Sequence, residues 1–234
     1  MCKILRRVPA HGQRPTAEIS VIGQYSARHL LKIRPIAYAV RMNGTPTAQR
    51  IVAAARGLLQ REGVAAVHMR KVAQLAGISP MGIYRHFANR DALLQRLADD
   101  SFDEITRHWL ALRSGSDVLA QLIALQRIYL DYALAHPHLF EHAFSSHRGN
   151  ARRFPEDFHA RRSPTLNVGH DAVVAAQAAG VLRAGEPWDI AMTLWAHSHG
   201  LIALYRAGRF SFDERRFRAF HEASLHRLLD GLRT

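Results

Sequence analysis

Tyr84, Arg85 and His86 are three consecutive hydrogen-bond donors, and they close the run Ala76-Gly77-Ile78-Ser79-Pro80-Met81-Gly82-Ile83-Tyr84-Arg85-His86-Phe87. Donors of this kind suit phosphate oxygens and the acceptor edges of bases. The residues ahead of them are small, apolar or capping. Ser79 can cap free amides, and Pro80 fits a first helical position, where no N–H is needed. Gly77 permits the backbone twist between two helices packed at a steep angle. The run therefore predicts a tight turn followed by a very short helix, suited to a DNA groove.

Such a segment needs elements to hold it. Met69–Ala76 has the pattern of one amphipathic helix, with Val72, Leu75 and Ala76 at i, i+3 and i+4 and so on one face. Arg70 and Lys71 fall in its first turn, where cations oppose the helix dipole. A cost accepted there points to an external anion, and phosphate is the obvious candidate. Upstream, Thr45-Pro46 supplies a cap and a first-turn proline. Ile51, Val52, Ala55, Leu58 and Leu59 then recur at helical spacing until Gly63 ends the helix.

Residues 46–104 resemble the N-terminal domain of the TetR family of bacterial transcriptional regulators. The resemblance rests on an ordered string: Ile51-x-x-Ala54-Ala55, Gly63, Met69-Arg70-x-Val72-Ala73, Ala76-Gly77-Ile78-Ser79, Tyr84-x-His86-Phe87, and Asn89-Arg90-Asp91-Ala92-Leu93-Leu94. It implies roles for particular residues. Arg70 matches a base- or phosphate-contacting position, and Pro80, Met81 and Gly82 match positions that approach base edges. Tyr84 and His86 match phosphate contacts, and Arg90 matches a basic residue that pins the next helix to the DNA backbone. Two positions depart from the family pattern. His68 stands where a Ser or Thr cap is usual, and Gly82 stands where Thr or Ala is common. Gly82 removes a side chain that could touch a thymine methyl, so direct readout falls to Arg70, Met81 and Arg85.

The formal charge of +13 is spread unevenly. Residues 1–41 hold eight Lys/Arg and one acid, residues 42–100 hold eight and four, and residues 101–234 hold sixteen and fourteen. A basic N-terminal part on a nearly neutral body fits a nucleic-acid binder, although a solvated basic surface would show the same imbalance. The motif separates the two. Residues 1–41 show no sustained helical period and contain Pro9, Pro15 and Pro35. They read either as a disordered basic arm reaching along DNA or as an artefact of an upstream start codon, Met42 standing just before the expected domain. They do not have the apolar stretch of a signal peptide, and no segment approaches the ~20 apolar residues of a membrane span. Cys2 is the single cysteine, so no intrachain disulfide can form and a reducing cytoplasm is the expected location.

The expected fold is all-α: a three-helix helix-turn-helix domain over 45–104 and a helical ligand-binding and dimerisation domain over 105–234. Asn89 caps a long connecting helix to about Leu112, apolar at Leu93, Leu94, Leu97, Ile105 and Trp109. Asp117 to Ala135 follows, with Val118, Leu122, Leu125, Tyr129 and Tyr132 inward, and then Leu139 to Ser145. Residues 146–162 read as a loop. Ser163-Pro164 opens a helix ended by Gly180, Pro187 opens another through Ala207, and Ser211-x-x-Glu214 reads as the capping box of the last.

Trp195-Ala196-His197-Ser198-His199-Gly200-Leu201, with Leu204 and Gly208-Arg209-Phe210, resembles the Trp/His-Gly signature of one C-terminal subclass of the same family. His136-Pro137-His138-Leu139-Phe140 and Phe144 fit that subclass too. The resemblance implies a homodimer in which Trp188–Ala207 and Asp213–Leu232 pack against their symmetry mates. It also implies a cavity for a small-molecule inducer. Trp109, Tyr129, Tyr132, Phe140, Phe144, Met192, Trp195 and His199 are its candidate lining; plain core packing is the competing role for each.

Metal and enzyme chemistry fit less well. His197/His199 and His136/His138 are i, i+2 pairs, which point about 200° apart on a helix and do not converge on one metal. No Gly-x-Ser-x-Gly elbow, phosphate-binding glycine loop or paired carboxylate constellation is present. No cofactor is expected. The function that follows is a ligand-responsive repressor, binding a palindromic double-stranded DNA operator as a homodimer. A ligand-independent nucleic-acid binder and a transcriptional activator are the alternatives.

Overall fold

In the computed structural model, residues 46–112, 117–145 and 151–234 are described. All of them belong to one compact body. The expectations for residues 1–41 and for Thr45 lie outside the described residues, as does the start of the 146–162 loop.

Helix α1, Thr47–Glu62, buries Ile51, Val52, Ala55, Leu58 and Leu59, the five residues whose spacing predicted it. Pro46 occupies the cap position and makes no side-chain cap bond, so it is not the first-turn proline expected. Its missing N–H costs nothing in either place. A 3₁₀ turn, Val64–Ala66, leads to α2, Met69–Leu75. In α2 the buried residues are Val72 and Ala73, joined by Ala76 just beyond; Leu75, expected on that face, is 45% exposed. The core arc passes through positions 72, 76 and 73 and leaves Leu75 at its edge.

The turn after α2 is a Schellman motif. Gly77 sits at φ +66°, its N–H donates to the Gln74 carbonyl at 3.1 Å, and Ile78 N–H donates to the Ala73 carbonyl at 3.0 Å. Glycine adopts that left-handed conformation without the steric cost a Cβ brings. A second 3₁₀ segment, Gly82–Arg85, carries the predicted recognition residues. Asn89 then caps α3, Arg90–Leu110, its side chain accepting from Ala92 N–H at 2.8 Å.

α4, Val118–Ala135, is capped by Asp117, which accepts from the N–H groups of Leu119 and Ala120, each at 3.0 Å. By length and composition α4 could cross a membrane, with a mean hydropathy of 1.2 over 18 residues, contrary to the expectation that no segment comes near. Its place in the fold accounts for that apolarity: Leu122, Leu125, Tyr129 and Tyr132 are buried in the helical body. Pro137 starts the short α5, Pro137–Phe140, which runs into a π-helical stretch, Glu141–Ser145. The expected loop contains a short helix, α6, Glu156–His159. α7, Pro164–Ala178, α8, Pro187–Arg206, and α9, Glu214–Asp230, complete the chain. The last is capped by Asp213, whose carboxylate accepts from Arg216 N–H at 2.7 Å; the Ser211 capping box is not formed. An Asp two residues nearer the helix meets the free amides first.

Three large apolar clusters result. One joins α1, α2 and Ile83 to Leu93, Leu94 and Leu97 of α3. The second holds Ile105 and Trp109 of α3 with Tyr129, Tyr132, Phe140, Ile202 and Phe217. The third packs Phe158, Leu166, Trp188, Leu194 and Leu225. α3 thus belongs to two of these cores, one at each end, with Ala98 and Phe102 in a smaller cluster between them.

Candidate functional site

The predicted recognition residues stand on the outer side of the first core. Ile83 is fully buried and anchors the 3₁₀ segment, while its neighbours Met81 and Tyr84 are 76% and 51% exposed. Ser79, Pro80, Arg85 and His86 are exposed, and Gly82 is half-buried. With about three residues per turn, successive side chains of the 3₁₀ segment point about 120° apart, so Ile83 turns inward while Tyr84 and Arg85 face out. Ser79 works as expected in one respect: its hydroxyl oxygen accepts from Gly82 N–H at 3.0 Å. A Cβ on residue 82 would meet that oxygen at 3.0 Å. The glycine found in place of the family's larger residue therefore makes room for the local serine bond.

Arg70 is exposed at the start of α2. His68 takes the cap position there without a side-chain bond, as its imidazole suggested. Lys71 differs from a bare phosphate ligand. Its ammonium pairs with Glu62 at 2.8 Å, and that hydrogen bond holds the Glu62 carboxyl below its ordinary value. A phosphate at Lys71 must compete with this carboxylate. Arg90 is engaged inward: Nε donates to the Val67 carbonyl at 2.7 Å and Nη2 to the Val64 carbonyl at 2.6 Å. It ties the start of α3 to the link between α1 and α2. Nothing in the spacing of the sequence signals these two bonds, because the partners are backbone atoms more than twenty residues away.

The helical body contains a cavity of about 120 Å³. Of the eight residues expected to line it, Trp109, Tyr129, Phe144 and Trp195 do. Tyr132 and Phe140 are fully buried in the adjoining core, and Met192 packs in the third cluster. His199 also stands off the cavity. Its Nδ1 meets the Tyr129 hydroxyl at 2.9 Å and its ring stacks on Phe140 at 5.7 Å. Burial holds the His199 imidazole below its ordinary value and raises the Tyr129 phenol, so the hydrogen bond joins two uncharged groups. Sequence reasoning missed Phe102, Ala143, Ala151, Arg152, Phe158, Ser163, Thr165 and Leu166, which complete the wall. Phe102 lies on α3 seven residues before Trp109, a separation the helical period could have linked to it.

Between the two regions lies a buried ion pair. Arg56 of α1 donates to Glu104 of α3, with the side chains 11% and 8% exposed. Gln60 meets His136 Nδ1 at 3.3 Å beside it, while His136 Nε2 finds no partner among the described residues. Burial holds His136 below its ordinary value, Glu104 opposing and Arg56 reinforcing the effect. A second buried histidine, His221 of α9, meets Ser198 of α8 at 3.1 Å, and burial lowers it to about 4. Among the described residues no three His, Cys, Asp or Glu side chains gather as a metal site.

Comparison with known proteins agrees with this architecture. Residues 51–97 match the bacterial regulatory proteins of the tetR family, and residues 122–232 match the tetracyclin repressor-like C-terminal domain. A transcriptional regulator of the helix-turn-helix type from Saccharopolyspora erythraea is 33% identical over 93 residues. That alignment spans 38% of this chain and 38% of the curated relative. A solved structure of a protein of unknown function from Rhodococcus sp. RHA1 is 26% identical, covers 82% of this chain and 98% of its own, and superposes with a TM-score of 0.70. A TetR-family transcriptional regulator from Pectobacterium atrosepticum shares the fold at 17% identity and a TM-score of 0.63, covering 80% and 94%. With a tetR-type reading head at one end of α3 and a tetracyclin repressor-like body at the other, the chain belongs to the TetR family of bacterial transcriptional regulators.

Proposed function

We propose that the chain is a DNA-binding transcriptional repressor. It acts as a homodimer on a palindromic operator and is released by a small molecule held in the helical body. The observation that carries this reading is the exposure of Met81, Tyr84, Arg85 and His86 on a short segment anchored by buried Ile83. An apolar side chain left 76% exposed beside three polar ones suits a groove, where methyl groups and acceptors are read together. Family membership supports DNA binding and dimerisation in general.

In the dimer, α8 and α9 pack against their symmetry mates, and the exposed Leu204 of α8 suits such a contact. Each recognition segment enters one major groove. α3 carries the message, since a ligand touching Phe102 and Trp109 acts on the helix whose other end holds Leu93, Leu94 and Leu97 in the DNA-side core. The ligand must bind the DNA-incompetent arrangement more tightly, because equal affinity for both arrangements shifts nothing. A cytoplasmic location follows from this role.

Fluorescence anisotropy on the intergenic DNA beside the gene tests the proposal. Tyr84→Ala weakens binding to all sequences alike, while Arg85→Ala costs about 1–3 kcal/mol and relaxes preference at one base position. Wild-type affinity in both variants at moderate salt overturns the assignment.

A further inference from the structure

We propose that the cavity takes a small aromatic carboxylate, with the ring among the aromatic walls and the carboxylate against Arg152. This rests on the ligand-responsive reading above and assigns the chemical class of the ligand.

The apolar part of the wall is made of rings. Phe144 stands edge-on to Tyr129 at 5.3 Å and 87°, and edge-on to Phe102 at 4.9 Å and 84°. Ring faces and edges in that arrangement offer a flat guest the offset and T-shaped contacts that aromatic pairs prefer. The volume of about 120 Å³ is small beside the roughly 300–1,000 Å³ of sites for drug-sized ligands, which favours a compact guest over a long chain.

The charge on the wall favours an anion over a cation. It contains no Asp or Glu. Arg152 supplies the cation, its guanidinium 5.0 Å from the centre of the Phe102 ring. It has no acidic partner among the described residues, whereas Arg161 pairs with Asp171 and Arg162 with Asp157, each at 2.8 Å. Across the wall, Ser163 and Thr165 are 5% and 8% exposed at the N-terminal end of α7. Ser163 Oγ accepts from Leu166 N–H at 3.3 Å, which leaves its own hydrogen to donate. The positive end of a 15-residue helix adds to the preference for negative charge. The Tyr129 hydroxyl, also on the wall, is joined to His199 Nδ1 at 2.9 Å. A planar guanidinium matches a carboxylate in a two-point geometry.

Calorimetry on the full chain tests this with benzoate and 2-naphthoate against 2-naphthamide, which lacks the charge, and octanoate, which lacks the ring. The same titrations on Arg152→Gln, Arg152→Lys and Arg153→Gln separate a local contact from general charge. The expected result is that 2-naphthoate binds at least tenfold tighter than either control compound. Arg152→Gln abolishes that preference and leaves 2-naphthamide binding unchanged, Arg152→Lys keeps part of it, and Arg153→Gln keeps it whole. Equal binding of acid and amide, a preference that survives Arg152→Gln, tighter binding of octanoate, or no binding by either aryl acid overturns the proposal. DNA anisotropy with each probe distinguishes its failure from that of the reading beneath it. Release of DNA by 2-naphthamide alone removes the charge assignment and leaves a ligand-responsive regulator. Selective binding of 2-naphthoate without DNA release confirms the site and removes the regulator's ligand response.

Discussion

Every buried residue of the core beneath the reading head is aliphatic, from Ile51 to Leu97 with Leu139 closing it, whereas the cores of the helical body are built around Trp109, Tyr129, Tyr132, Phe140, Trp188 and Phe217. The head must hold a short exposed segment in one shape, and interlocking branched side chains do that at close-packed density. The body lines a cavity, and among the described residues polar atoms of Gln126, His136 and His197 lack partners there, as Arg50 Nε does in the head. Large rings leave gaps where they meet at steep angles, and unpartnered polar atoms make one arrangement less decisively favoured over another. The contrast suits a head of fixed shape and supports the ligand response proposed for the body.

The largest expected effect lies at the seam of these two regions. Arg56→Ala or Glu104→Ala strands a buried charge and destabilises by about 3–5 kcal/mol. Arg56→Met with Glu104→Leu restores most of that loss, as read by denaturant unfolding. A double variant no more stable than the singles would show that the pair does more than satisfy itself, and the separation of the regions would blur.

Next in size is the response to acid, which should belong to the body. Burial holds His136, His197, His199 and His221 below the ordinary imidazole value. The unfolded chain then binds more protons than the folded one at mildly acidic pH. The stabilisation is complete above about pH 6.5 and is lost as the pH falls toward 4. His221, lowered to about 4, accounts for on the order of 3 kcal/mol of that loss. Melting temperature against pH should flatten in His221→Gln. An unchanged profile would move the acid sensitivity out of the α8–α9 contact.

The smallest effect sharpens the description of the head. α2 begins at His68 without a side-chain cap, so His68→Ser should stabilise by about 0.5–1 kcal/mol in thermal unfolding. No gain would mean that His68 is fixed by something other than the helix end.

Local signals carried much of this fold in readable form. The five buried residues of α1, and the helix starts at Asn89 and Ser163, depend only on period and on the first free amides of a helix. The exposed reading segment was legible for the same reason, since a Schellman turn is specified within six residues. Leu75 and the Ser211 cap went differently because each was decided by competition: a neighbouring core arc for the first, a nearer Asp213 for the second. The cavity was half legible. Trp109, Tyr129, Phe144 and Trp195 are large and periodic, but Arg152 lies ahead of α6 and Ser163 and Thr165 sit at the start of α7, and no helical period links these to the others. The inward bonds of Arg90 and the pairing of Arg56 with Glu104 are long-range contacts of the same kind.

The length of α3 gives the body mechanical advantage over the head. Its 21 residues measure about 32 Å at 1.5 Å per residue. Pivoted near Trp109, such a rod converts a tilt of about 6° into a sweep of about 3 Å at Arg90, close to the ~3.4 Å between successive bases on a strand. In the ligand response proposed above, a guest that pushes Phe102, about 10 Å along α3 from that pivot, by about 1 Å would supply this tilt and put the two reading segments out of step with the groove.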